Sequence, residues 1–366
     1  MRAQGAVTLR FWTSQTAPIQ MKAWQSAIDR FEAANKGVKV EIEKYSDDNL
    51  WPKLTAAFAA RDVPDLVSYV QAYTVVSLGA RGLVEPFDDV IKGVGEADFF
   101  PSMRDIYKVN GGYLAATLNN QTSSNLFYRK DLLQEAGLAP PTTWDDLLKV
   151  AKATTKNGLY GTVLPFGRAS MTSTMMAMFV RQGGGFVVNP DLSVGFNSEG
   201  TVAALEFLKE IFEYTPPGSA SYSWSEVLNA IVTGKAVTGP YTGRPLALIN
   251  EQNAAIADKV SRVAYPYRKG GRPAYDCPFN SLFIPKGAKN LDATKAFAKA
   301  LFGKEAQLAV LHALPGHNLP ALKSVAESKE FYDNPIIGKY KAEVHGMIET
   351  TAESRNLVKE SDQHAY

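Results

Sequence analysis

Apolar and polar positions follow two distinct rhythms at the start of this chain. Thr8-Leu9-Arg10-Phe11-Trp12 reads as a short strand running into polar Thr13-Ser14-Gln15-Thr16. Pro18 then suits the first turn of a helix, and Met21, Trp24, Ile28 and Phe31 recur at helical spacing before Gly37 stops it. Val38, Val40 and Ile42 alternate as a second strand that ends at Tyr45-Ser46-Asp47-Asp48. Leu50, Leu54, Ala57 and Phe58 form the next helical stripe, and Pro64 through Tyr69 gives a third strand. A β-α-β-α-β opening predicts a mostly parallel sheet covered by helices. Ligands of such sheets bind beyond the carboxyl ends of the strands. Three polar tips fall there: Ser14 with Gln15, Ser46 with Asp47, and Gln71 with Tyr73.

The middle of the chain repeats the pattern. An extended stretch runs from Gly111 to Asn119. Thr143 stands as an N-cap three residues before Asp146, the spacing of a capping box, and Ser198 caps a helix bearing Val202, Leu205, Leu208, Ile211 and Phe212. Gly234 through Gly239 reads as a turn and a short buried strand, and 280–284 as another strand. Asp292 is placed to cap the helix carrying Phe297 and Leu301. No low-complexity linker and no repeat of 20–50 residues is present. With 366 residues the chain exceeds what one core usually supports, so two α/β lobes are expected.

Composition narrows the function. Lys plus Arg number 39 against 37 Asp plus Glu, a net charge of +2 with no basic run, which gives no case for nucleic acid. The single cysteine, Cys277, cannot form an internal disulfide. The histidines, His312, His317, His345 and His364, lack the i, i+4 spacing of a helical metal site, so no metal or cofactor is expected. No stretch approaches a membrane span. Met1 reads as an added start on a chain whose signal peptide has been removed, because Ala3 before Gln4 fits the tail of a cleavage site, which would place the protein in the periplasm; a native cytoplasmic start is the alternative on these residues alone. No Gly-x-Ser-x-Gly elbow, phosphate loop or His-Glu-x-x-His occurs, so the chain is expected not to be an enzyme.

Several blocks resemble the solute-binding proteins of ABC importers, in particular the sugar-binding family that includes maltose-binding protein. They are Phe31 through Val40, Pro64-Asp65-Leu66-Val67, Leu126 through Leu138 with Pro141-Thr142-Thr143-Trp144, Gly234-Lys235-Ala236 leading to Gly239-Pro240-Tyr241, and Leu282 through Lys289. The resemblance covers roughly residues 7–325, with the blocks in the family's order. It implies a two-lobed periplasmic-binding-protein fold (type II-like) whose chain crosses between lobes three times, near 114–119, 263–267 and 314–320. Lobe one would hold 1–117 and 265–315, lobe two 118–264 and 316–366, with a ligand cleft between them. It further implies a monomer that captures a carbohydrate by hinge closure and hands it to a membrane permease. The chain departs from the family in ending soon after a polar 349–363 stretch.

A sugar offers apolar ring faces edged by hydroxyls, so its site needs aromatic planes and hydrogen-bonding side chains. Tyr241 stands where the family carries a sugar-stacking aromatic, and Arg244 three residues on is a donor-only fork. Gln71 and Tyr73 follow the third strand where the family places contacts, although Ala72 and Thr122 stand where carboxylates are usual. Gln15, Ser14 and Asp47 complete the strand tips. Asn119, Asn120 and Thr122 lie at the first crossing; the asparagines also suit hinge capping. Gly167 and Arg168 follow a strand-like 160–166. Trp224 is a second stacking plane or a staple before a helix. Asn280 and Asn318 lie near the later crossings. Trp12 is expected in the core, and Met175, Met176 and Met178 as packing. Two arginines and few carboxylates suggest a sugar derivative with an anionic group. Alternatives are a phosphodiester or organic acid, and, further off, a glycoside hydrolase, which would need two facing carboxylates.

Overall fold

The computed structural model describes residues 7–69, 72–189 and 193–353. Gln71 and the residues from which the chain start was read lie outside this set. The chain divides into two compact units, one of residues 1–120, 278–314 and 318–334, the other of 121–277, 315–317 and 335–366.

Twelve strands are described. In chain order the first unit holds β1 (Val7–Thr13), β2 (Val38–Lys44), β3 (Leu66–Tyr69), β4 (Lys108–Val109), β5 (Gly112–Tyr113) and β6 (Ala116–Asn120). The second unit holds β7 (Asn125–Arg129), β8 (Tyr160–Thr162), β9 (Ala236–Tyr241) and β10 (Val260–Ala264). The chain then returns to the first unit for β11 (Phe279–Phe283) and β12 (Leu319–Pro320).

The first unit's sheet has the order β12-β6-β11-β3-β1-β2, and β4 pairs with β5 as a separate hairpin. β1 runs parallel to both β2 and β3, as the β-α-β-α-β opening predicts. The sheet is nevertheless not mostly parallel, because β11 inserts antiparallel between β3 and β6, and β12 pairs antiparallel with β6. Parallel neighbours need a crossover connection, usually a helix. β11 enters from the second unit without one, so that constraint does not apply to it.

The helix Pro18–Ala34 buries Trp24, Ile28 and Phe31. Phe11 meets Trp24 and Phe297 edge-on at ring separations of 5.6 Å each, and Phe297 lies 5.0 Å from Phe31. Aromatic pairs in this geometry contribute beyond their buried area. Asp292 does not cap the helix Leu291–Leu301. The N-cap position is Asn290, whose backbone and side-chain N–H groups are held by Asp65.

The second unit's sheet has the order β10-β7-β9-β8, with β7 antiparallel to both neighbours and β8 parallel to β9. Thr143 and Asp146 form the anticipated capping box on the helix Trp144–Thr154, and Ser198 accepts from Thr201 N–H at the start of Glu199–Phe212. Trp144 stacks on Phe207 at 4.7 Å and meets Phe179 edge-on.

This division differs from the sequence expectation in two long segments, and also in 118–120, which belong to the first unit, and 315, which belongs to the second. Residues 265–277 pack with the second unit. Tyr265 N–H bonds Ser124 O, Trp144 N–H bonds Tyr267 O, and Gln182 Nε2 donates to Ala274 O. Residues 318–334 pack with the first, through β12 and through Ser324, which bonds Asp98. The chain accordingly passes between units after residues 120, 277, 314, 317 and 334, where three crossings were expected.

Candidate functional site

In the first unit the candidates gather on β6, β11 and the turn after β1. Trp24, in the core, donates its indole N–H to Gln15 Oε1 at 3.2 Å. Gln15 Nε2 in turn donates to Asn119 Oδ1 at 3.3 Å. Asn119 is the register partner of Asn280 across β6 and β11, and Asn280 Oδ1 lies 3.0 Å from Ser68 Oγ. Ser14 follows, its backbone N–H bonded to Ser68 O. Ser14 Oγ, Asn119 Nδ2 and Asn280 Nδ2 are buried and have no hydrogen-bond partner among the described residues.

The Asn120 amide is taken up by backbone carbonyls, as asparagine readily allows. Its Nδ2 donates to the carbonyls of Leu319 and Pro320 at 3.2 and 3.0 Å. Asn318 Nδ2 reaches Val310 O at 3.4 Å. Tyr73 is half-buried on the helix Ala72–Ala80, and Asp47 is the first residue of the helix Asp47–Ala60. Trp12 is buried as expected, but its indole N–H bonds Glu43, and Tyr45 packs on the ring edge-on at 5.1 Å.

In the second unit Tyr241 ends β9. Its ring is buried and meets Trp224 edge-on, 5.5 Å between centroids at 90°. Burial pushes the Tyr241 phenol up to about 12, against the pull of the Arg244 charge. Trp224 begins the helix Trp224–Val232 and donates to Ser170 Oγ at 3.3 Å, so it is both the first residue of a helix and a neighbour of Tyr241. Arg168 and Arg244 are exposed. Thr122 Oγ1 accepts from Ser124 N–H, and Asn125 Nδ2 ties Thr122 O to Tyr241 O at 2.8 and 3.0 Å. The turn after β6 is thereby pinned to the tip of β9. Gly167 has a packing reason for being glycine: a Cβ there would lie 2.7 Å from the carbonyl oxygens of Ser221 and Tyr222.

The loop that carries Tyr241 and Arg244 is clamped from behind. A Cβ on Gly243 would lie 1.9 Å from Gly316 O. Beside this contact Thr242 Oγ1 bonds His317 Nδ1 at 2.9 Å. Burial, assisted by the Arg244 charge, lowers the His317 imidazole to about 4.

Two residues escaped the sequence reading. Asp276 bonds Ser124 Oγ through its backbone N–H, and burial raises its carboxyl to about 6, with Ser123 opposing. No motif marks Asp276; only tertiary contact places it there. Asn125 likewise carries no signal beyond being the first residue of a strand. An apolar cavity of about 410 Å³ between the helices Ser170–Gln182 and Glu199–Phe212 is lined by Met175, Met176, Leu205 and Phe212 among others, and by none of the candidates. Met175 and Met178 pack as expected. Among the described residues no cluster of His, Cys, Asp and Glu suits a metal ion, and no helix is long and apolar enough to cross a membrane.

Comparison with known proteins adds the following. A family model described as bacterial extracellular solute-binding protein matches residues 26–339. The putative ABC transporter periplasmic-binding protein YcjN of Escherichia coli (strain K12) is 25% identical over 341 residues, covering 90% of this chain and 77% of the relative. The mannitol-binding protein of Pseudomonas aeruginosa is 26% identical over 307 residues, covering 81% of this chain and 69% of the relative. Among solved structures, maltose-bound MalE3 of T. maritima superposes with a TM-score of 0.79 at 21% identity, covering 95% of this chain and 88% of that one, a likeness of fold.

Proposed function

Because the chain belongs to the bacterial extracellular solute-binding protein family, we propose that it captures a sugar or sugar alcohol outside the cytoplasm and delivers it to the permease of an ABC importer. One observation carries the ligand class: in the first unit Asn119 Nδ2 and Asn280 Nδ2, on paired residues of β6 and β11, and Ser14 Oγ, in the turn after β1, are buried with no hydrogen-bond partner among the described residues. Leaving a buried polar group unsatisfied costs about 1–3 kcal/mol. Three such groups are a poor way to fill a core and a good way to meet a polyhydroxylated ligand. In the second unit the Tyr241 and Trp224 rings supply aromatic surface for the apolar face of such a molecule. The mannitol-binding relative and the maltose-bound neighbour support the same ligand class.

A neutral ligand is favoured over an anionic derivative. The sequence reading leaned towards an anion because it found few carboxylates. Asp276, whose backbone N–H bonds Ser124 Oγ, adds one carboxyl to the second unit that the sequence expectation did not include. The exposed Arg168 and Arg244 keep sugar acids and phosphodiesters as the comparison set. The role requires no covalent chemistry, and the protein acts as a monomer with the permease as its partner.

The test is a thermal-shift screen of neutral sugars and sugar alcohols against sugar acids and phosphodiesters. A ligand at 100 times its dissociation constant stabilises by about 2.7 kcal/mol. Stabilisation by D-mannitol, maltose or another neutral member supports the proposal. Stabilisation by acidic members alone, or by none, overturns it.

A further inference from the structure

Trp24 lies in the first unit's core, 1% exposed, yet it governs the hydrogen-bonding polarity of Asn119. An indole N–H can donate and cannot accept. The atom of Gln15 that faces it at 3.2 Å is therefore the amide oxygen, by chemistry rather than by assignment. The Gln15 NH2 group must then face the other way, towards Asn119, and the Asn119 atom that receives it at 3.3 Å is its oxygen. The orientation passes through two amides that would otherwise be free to flip. Its result is that Asn119 Nδ2, buried and without a protein partner, is held as a donor.

Asn280 repeats the arrangement next door. It is the cross-strand partner of Asn119, so both side chains project from the same face of the sheet. Its oxygen meets the Ser68 hydroxyl at 3.0 Å, and its Nδ2 is likewise buried and unpartnered. The face thus presents two adjacent NH2 groups with no competing acceptor in either amide.

We propose that the Trp24–Gln15–Asn119 relay is a specificity device: it holds the Asn119 amide, beside that of Asn280, as a donor, so that this pair selects a ligand presenting acceptor oxygens, such as adjacent hydroxyls, over one presenting an ammonium group. Trp24 and Gln15 are positioning residues that act through Asn119; Gln15, expected from the sequence to touch the ligand, spends its amide on the relay. The inference rests on the sugar or sugar-alcohol reading above.

The test measures binding of D-mannitol and of maltose by calorimetry to the unsubstituted protein and to three variants. Asn119→Asp keeps an oxygen for Gln15 and replaces the donor by an acceptor. Gln15→Glu still accepts from Trp24 but offers Asn119 only an acceptor, so the Asn119 amide turns round and presents its oxygen. Gln15→Met breaks the relay without inverting it. Affinity for the bound probe falls about 10–100-fold in the first two, the scale of one lost hydrogen bond plus an unsatisfied group, and less in the third. The Trp24 indole proton resonance, still hydrogen-bonded in Gln15→Glu, shows that the core is intact while binding is lost; a merely structural role would shift it together with the affinity. If the unsubstituted protein binds a probe and both inverting variants bind it within about twofold, the relay is overturned and the sugar reading stands. If the unsubstituted protein binds no sugar or sugar alcohol, both fall.

Discussion

His317 and Asp276 make opposite contributions to the pH dependence of the second unit, and that opposition can be measured. His317 falls from an ordinary 6.5 to about 4 through burial. Between those values the unfolded chain takes up a proton that the folded one refuses. Stability from this group is therefore complete above pH 6.5 and is lost as pH falls towards 4. At about 1.36 kcal/mol per pKa unit the loss is roughly 3 kcal/mol. Asp276 rises from 3.8 to about 6. Here the folded state holds the proton more tightly, so its contribution is complete below 3.8 and is lost as pH rises through 6, again by roughly 3 kcal/mol. The two nearly cancel between pH 4 and 6. Urea denaturation across that window should show a shallow slope in the unsubstituted protein. His317→Gln should become more stable on acidification, and Asp276→Asn less stable, each by about 2–3 kcal/mol over the window. If both variants track the unsubstituted protein within about 0.5 kcal/mol, neither shift exists as described and the burial assigned to the two groups is wrong.

Three further outcomes are expected. Gly243→Ala places a methyl 1.9 Å from Gly316 O, so it should cost at least about 2 kcal/mol in denaturation and weaken ligand binding by displacing the Tyr241 to Arg244 loop. Tyr241→Phe should retain most ligand affinity while Tyr241→Ala loses about tenfold or more by calorimetry, because the ring face and not the hydroxyl is the proposed contact. Thr143→Ala removes the cap bonded to Asp146 N–H and should lower stability by about 1 kcal/mol, with ligand affinity unchanged.

What could be read in the sequence was local. The strand–helix alternation from Thr8 to Tyr69, the Thr143 and Asp146 capping pair, and the position of Tyr241 at a strand end all follow from spacings of a few residues. What could not be read depends on partners far along the chain. Nothing in the residues of β11 announces that it will insert antiparallel between β3 and β6, since a strand's periodicity states which positions are buried and not who lies beside it. The same limit hid the attachment of 265–277 to the second unit, whose bonds include those to Ser124, Trp144 and Gln182. It also hid the bonds that tie Gln15 to Trp24 and Asn119. A polar residue after a strand reads as a ligand contact, and its spacing does not announce that the Trp24 indole, nine positions away on a helix, bonds its oxygen.

The perpendicular packing of Trp224 against Tyr241 has an optical consequence. At 5.5 Å the phenol passes its excitation to the indole, and anything that settles on the Tyr241 face alters the surroundings of both rings at once. The protein therefore carries a built-in fluorophore at its proposed aromatic platform. Of its five tryptophans, Trp24 and Trp144 are deep in the cores, Trp12 is tied to Glu43 and Trp51 is half-buried on the helix Asp47–Ala60, so a ligand-dependent change in emission that originates at Trp224 should vanish in Trp224→Phe and persist in Trp51→Phe.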